Sequence, residues 1–193
     1  MNRPSIRKIC MITGIALLVA AAVLMGLWQW HIHTSAQQAQ QYARRLHGLI
    51  PTPQSAVPEP RRDNTMAVIP LEGKDFVGLI ELPRYGSTLP VCDDWGRPSQ
   101  YPCRLSGSAY DGTLQIGGTT QAGQYDFYRE ISVGDRLYFT DVEGNRFAYT
   151  VTELRYAAHA DQEALQSCGA PLTLFLKNVY AMEYLLIFCD VAR

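Results

Sequence analysis

The sequence predicts an all-β domain held behind one N-terminal membrane helix. Three observations predict it. Residues 9–30 contain no charged side chain. Charge changes sign along the chain: residues 1–65 carry seven Lys/Arg against two acids, a net of +5, and residues 66–193 carry ten against sixteen, a net of −6. From about Met66 onward the apolar residues fall in short runs bounded by Gly, Pro, Asn and Asp, which is strand and turn chemistry. With 47% apolar and 18% charged residues in 193, the chain is neither disordered nor a coiled coil. A net charge of −1 argues against a nucleic-acid binder.

The apolar run (ICMITGIALLVAAAVLMGLWQW) is long enough to cross a hydrocarbon core, which takes about 20 residues. It exceeds the h-region of a cleaved signal peptide, usually about 7–15 residues, so a retained anchor is expected. Arg3, Arg7 and Lys8 precede it and hold residues 1–8 in the cytoplasm; Trp28 and Trp30 suit the far interface. This predicts a single-pass protein of the cell membrane with its C-terminal domain outside. Residues 35–49 are rich in helix formers and prolong the helix off the membrane. Pro51, Pro53, Pro58 and Pro60 then predict an extended spacer, with Arg61 and Arg62 solvated, so residues 31–65 read as a linker and 66–193 as the folded domain.

Strands are expected at residues 77–82, 114–116, 136–140, 147–154, 172–176 and 184–191, with the second ending at Gly117 and Gly118. Residues 125–131 and 161–167 read as single helical turns. So many short strands suggest one closed or sandwiched antiparallel sheet.

Of five cysteines, Cys92, Cys103, Cys168 and Cys189 lie beyond the span. Three pairings are open to four cysteines. Sequence proximity favours Cys92–Cys103. A hairpin of the last two strands would bring Cys168 and Cys189 roughly opposite each other, which makes a second disulfide geometrically plausible. An oxidising location agrees with the topology. The alternative is a nucleophilic thiol at Cys168 or Cys189. One His among separated cysteines gives no zinc spacing, and Gly112, Gly117, Gly118 and Gly123 lack the βαβ context of a phosphate loop, so no metal or cofactor is expected.

The order of the pieces resembles the sortases, the membrane-anchored cysteine transpeptidases of Gram-positive bacteria. Residues 77–83 (VGLIELP) look like the family's opening strand, and 88–91 (TLPV) like the segment after it. Residues 114–118 (LQIGG) stand where the family has a strand ending in Gly-His. Residues 127–135 (FYREISVGD), 149–151 (YTV) and 172–177 (LTLFLK) resemble its later motifs, the last being similar to L-T-L-x-T-C. The resemblance spans about residues 75–193 and implies a sortase-like closed β-barrel with short helices, preceded by the transmembrane helix.

In that family, the resemblance implies, a Cys thiolate attacks a sorting signal, a His serves as acid and base, and an Arg supports the oxyanion. This chain departs at each position. Gly118 stands for the His, Lys177 for the Cys, and Glu183 or a neighbour for the Arg; Arg193 lies too far along. Gly118 transfers no proton, and Glu183 would disfavour an oxyanion. The substitutes are His159, oriented by Asp161, with Cys168 or Cys189. The expected function is a catalytically inactive sortase-like protein that binds a sorting-signal-like peptide, a pilin or a surface-protein partner. The alternative is an active transpeptidase with a displaced catalytic set.

Overall fold

In the computed structural model the described residues are 3–52, 65–96, 100–158 and 169–192. Several sequence-derived candidates lie outside them: most of the Pro-rich spacer, the turn expected at residues 161–167, His159, Asp161, Cys168 and Arg193.

The chain forms two compact units, Met1–Thr34 and Ser35–Arg193. One helix, α1 (Arg3–Leu49), runs through both. In the first unit its side chains from Met11 to Trp30 are exposed, and the helix is apolar and long enough to cross a membrane. In the second unit Ala39, Tyr42, Ala43 and Leu46 recur at helical spacing and are buried. Tyr42, Ala43 and Leu46 pack against Phe76, Leu79, Cys92, Tyr101 and Cys103. Tyr42 donates to Glu72 at 2.8 Å and accepts from Lys74 Nζ at 2.9 Å, while Arg45 pairs with Glu72. Residues 35–49 therefore belong to the folded unit, although composition alone reads them as the start of a linker.

Nine strands follow: β1 (Ile69–Leu71), β2 (Lys74–Leu82), β3 (Ser87–Cys92), β4 (Cys103–Ser106), β5 (Leu114–Thr119), β6 (Arg136–Asp141), β7 (Arg146–Ala157), β8 (Leu172–Lys177) and β9 (Tyr184–Val191). Eight of them close into a barrel in the order β2-β3-β4-β5-β8-β9-β7-β6, with β6 returning to β2. The strand β1 extends the edge of β2 ahead of β6. Pairing is antiparallel except at β3–β4 and β5–β8. The interior is filled by alternate residues such as Ile80, Ile116, Phe139, Val151, Leu174 and Ile187.

One expectation changes. β5 does not stop at the glycines: Gly117 pairs with Phe175, Gly118 with Leu176 and Thr119 with Lys177. Their missing side chains make room rather than break the strand. A Cβ on Gly117 would lie 2.0 Å from the Trp95 ring outside the barrel, and one on Gly118 would lie 2.7 Å from the Tyr125 ring inside. Residues 125–131, expected as a single helical turn, form successive turns. Tyr128 N bonds to Tyr125 O at 3.1 Å and Glu130 N to Phe127 O at 2.9 Å. Tyr125, Tyr128 and Ile131 all enter the core, and their spacing of three suits such turns. The described residues contain one short helix besides α1, a 3-10 turn at Pro83–Tyr85.

That turn is tied to the barrel by a buried carboxylate. Asp135 accepts from Tyr85 Oη at 2.6 Å, from Arg84 at 2.5 Å and from the Ser132 amide at 3.0 Å. Burial pushes the Asp135 carboxyl up, but these donors outweigh it and hold it below its ordinary value; burial and Asp135 push the Tyr85 phenol up to about 12. A depressed carboxyl gives stability that is whole above its unfolded pKa of about 3.9 and is lost as pH falls through the lower folded value. Asp135→Asn is expected to cost about 1.5–3 kcal/mol at neutral pH and to flatten the acid limb of a melting-temperature profile. An unchanged acid limb would dismiss the role.

Candidate functional site

The parallel pairing of β5 with β8, and the hairpin of β8 with β9, bring three strand ends together. Period-2 alternation assigns the faces. Leu172, Leu174 and Leu176 enter the core, so Thr173, Phe175 and Lys177 project outward. Thr119 is the register partner of Lys177 on β5, and Tyr184 is its partner on β9. Thr119, Lys177 and Tyr184 thus form one row across the outer face. Gly118 is one residue out of phase: it pairs with Leu176, and its open side faces Tyr125 and Gln124 in the interior. Glu183 lies in the turn before β9, where Asn178 Nδ2 donates to it at 2.9 Å.

The row is held from both sides. The Gln124 side-chain oxygen accepts from the Thr119 amide at 3.0 Å. The Thr120 amide donates to Lys177 O at 3.1 Å, and the Thr120 hydroxyl accepts from the Val179 amide at 3.2 Å. Asn178 Oδ1 caps the turn by accepting from the Tyr180 amide at 3.0 Å. Thr119 is 5% exposed, yet its hydroxyl has no hydrogen-bond partner. Lys177 is exposed and forms no ion pair with a described residue.

Beside the row the outer face is apolar. Phe175, Leu186 and Phe188 are buried among Leu105, Ala157, Ala170 and Tyr184. The Tyr184 ring stacks on Phe175 with centroids 4.9 Å apart. Trp95, 38% exposed, covers Gly117 on β5. The β8–β9 turn presents Tyr180 and Met182 to solvent.

The described barrel cysteines occupy two settings, and none of them forms the disulfide expected from sequence. Cys189 faces the core, and burial pushes its thiol far above its ordinary range, which disfavours the thiolate. It pairs with Leu172, and it lines a depression of about 320 Å³ with Gly169, Ala170 and Pro171. Cys92 and Cys103 are buried free thiols at register positions of β3 and β4. Among the described residues, no group of three or more His, Cys, Asp and Glu side chains converges on a point.

Sequence reasoning missed Thr119, Tyr184 and Trp95. The signal for the first two is alternation: if Leu176 points inward, Lys177 points outward, and its neighbours across the sheet must share that parity. Trp95 carries no such signal, because its partner is a glycine distant in sequence.

A closed eight-stranded barrel of this order, behind an apolar N-terminal helix, is the sortase fold. No protein-family model matches the chain, and no curated protein matches its sequence. Among solved structures, sortase A from Corynebacterium diphtheriae is 19% identical and superposes with a TM-score of 0.53 over 84% of each chain. Sortase C1 from Streptococcus agalactiae is 17% identical, with a TM-score of 0.52 over 84% of this chain and 86% of the other. Sortase C from Clostridium perfringens with the C-terminal cell wall sorting motif is 18% identical, with a TM-score of 0.51 over 62% and 71%. At these identities the likeness carries the fold: the chain is sortase-like in architecture.

Proposed function

We propose that this chain is a membrane-anchored, sortase-like binding protein of the Gram-positive cell surface that docks an extended peptide without acyl transfer. The row Thr119–Lys177–Tyr184 carries the reading. It holds no thiol, imidazole or guanidinium. Its one amine belongs to the exposed Lys177. Binding needs less. Trp95 and the Phe175–Tyr184 stack offer an apolar platform, and Lys177 offers a charge for an acidic group. Sorting-signal-like peptides are the natural class, given the motif carried by the Clostridium perfringens structure. The basic residues ahead of the span put the N-terminus in the cytoplasm and the barrel outside.

The test uses the full chain in detergent with a fluorescent sorting-signal peptide and hydroxylamine as acyl acceptor. Saturable binding without cleavage is expected, weakened about tenfold or more in Lys177→Glu, which is about 1.4 kcal/mol. Turnover that disappears in His159→Ala would establish the active alternative instead. Absence of binding to every sorting peptide tried, with a pilin co-purifying, would point to a structural accessory.

A further inference from the structure

We propose that Cys92 and Cys103 are a redox-convertible pair whose oxidation staples the β3–β4 seam of the barrel and pins the loop carrying Trp95 against β5. The inference is independent of peptide binding. It starts from the sheet: β3 and β4 are joined by a single register pair, Cys92 with Cys103, whereas β5–β8, β8–β9 and β7–β9 run on for six residues or more. One backbone bond reinforces the seam, from the Cys92 amide to Pro102 O at 2.9 Å. The seam is the shortest junction of the closed barrel, and it is the one with a free cysteine at the register position of each strand.

The side chains are disposed for bonding. Val91 enters the core, so Cys92 projects outward, and Cys103 shares its cluster beneath Tyr42, Ala43 and Leu46. Neighbouring strands run about 4.8 Å apart, inside the range a disulfide spans between Cα atoms, about 4.4–6.8 Å. The two sulfurs are in hydrogen-bond contact, which draws Cys92 down to about 7; Tyr101 O, 3.3 Å from Cys103 Sγ, competes for the single Cys103 proton. A thiolate at that position is available near neutral pH.

Residues 93–96 reach the outer face of β5. Asp93 is anchored by its amide to Asp75 O at 2.7 Å and by its carboxylate to Arg104 at 2.5 Å. Two residues on, Trp95 lies over Gly117, one position before the strand's inward Gly118. Closing the sulfur bridge shortens the freedom of this loop at its base and so restricts the indole.

The chemistry is thiol–disulfide exchange with an external disulfide RS–SR of low molecular weight or of an exchange protein. The Cys92 thiolate attacks one sulfur and expels RS⁻, leaving a mixed disulfide. Cys103, deprotonated, attacks Cys92 Sγ and expels the second RS⁻. The two protein protons end on the two RS⁻, so a dithiol and one disulfide become one protein disulfide and two RSH. Both sulfurs are buried, so exchange passes through opening of the loop at its one-bridge seam.

The experiment equilibrates the full chain in detergent in graded glutathione disulfide–glutathione buffers, then alkylates and maps the thiols by mass. Loss of two thiols, traced to a Cys92–Cys103 linkage, is expected. With it the melting temperature should rise by roughly 6–12 °C, as for a loop of about 12 residues in a domain of this size. Acrylamide quenching of Trp95, taken as the difference from Trp95→Phe, should fall. None of these changes should appear in Cys92→Ser, or in Cys92→Ala with Cys103→Ala if the serine variant misfolds. Both cysteines alkylated at every buffer ratio, or either linked to Cys168 or Cys189, would overturn the pair. A Cys92–Cys103 bond that moves neither melting nor quenching would overturn the staple.

Discussion

A chain carrying Gly118→His together with Lys177→Cys is expected to form no thioester with a sorting-signal peptide, and to melt below the parent. The reason is parity. Residue 118 opens toward the interior, where a Cβ would already sit 2.7 Å from the Tyr125 ring and 3.2 Å from Gln124 Oε1. Tyr125 is fully buried, so the ring has little freedom to give way. Overpacking of this kind costs about 1–3 kcal/mol, or roughly 2–12 °C for a chain of this length. The thiol at 177 would meanwhile lie on the outer face, with the sheet between it and the imidazole. A base must be within hydrogen-bond reach of the thiol it activates. Thr119→His with Lys177→Cys puts both groups in one row, and Tyr184→Arg adds a cation at the next position. Intact-mass measurement of the peptide adduct separates the designs: a thioester is expected first in the triple variant. An adduct in the 118/177 variant would show that the inner-face assignment of Gly118 is mistaken.

The second large effect concerns closure of the barrel. Gly78 pairs with Val91 of β3 on one side and with Asp141 of β6 on the other, at a bulge in β2. A Cβ there would stand 2.2 Å from Thr140 O and 2.9 Å from Asp141 Cα. Both are backbone atoms, so no rotamer change relieves them and β6 must withdraw from β2. Gly78→Ala is expected to cost about 3 kcal/mol or more, the upper end of overpacking, and to lower the melting temperature by roughly 6–12 °C. Near-ultraviolet circular dichroism should weaken with it, since Phe139 packs at the same point. A melting temperature within a degree or two of the parent would mean that β2 and β6 can part at no cost.

Strand positions were legible where apolar and aromatic residues ran together between turn residues. Residues 184–191 coincide with β9, and residues 136–140 with all but the last residue of β6. β4 was hidden because four residues beside a proline make no pattern, and β1 because it owes its order to β2 rather than to its own sequence. Gly117 and Gly118 read as a stop, since propensity is blind to rings that arrive from Trp95 and Tyr125. The same limit applied to the site. Lys177 was legible from the run of leucines before it, but its true neighbours follow from a parallel register with β5 that no local pattern encodes. The stripe of Ala39, Tyr42, Ala43 and Leu46 has helical spacing, yet two alanines give it little apolar weight, so composition alone reads it as linker.

That stripe has a consequence for how the barrel keeps to itself. Two strands sharing a single bridge leave backbone donors and acceptors close to the state of a free sheet border, where another chain can add. The helix tail roofs this place with Tyr42, Ala43 and Leu46. A shortened chain that begins at Met66 would uncover both the border and the aromatic pair Phe76 and Tyr101 beneath it. Such a fragment should self-associate through strand addition, while one that begins at Ser35 should stay monodisperse.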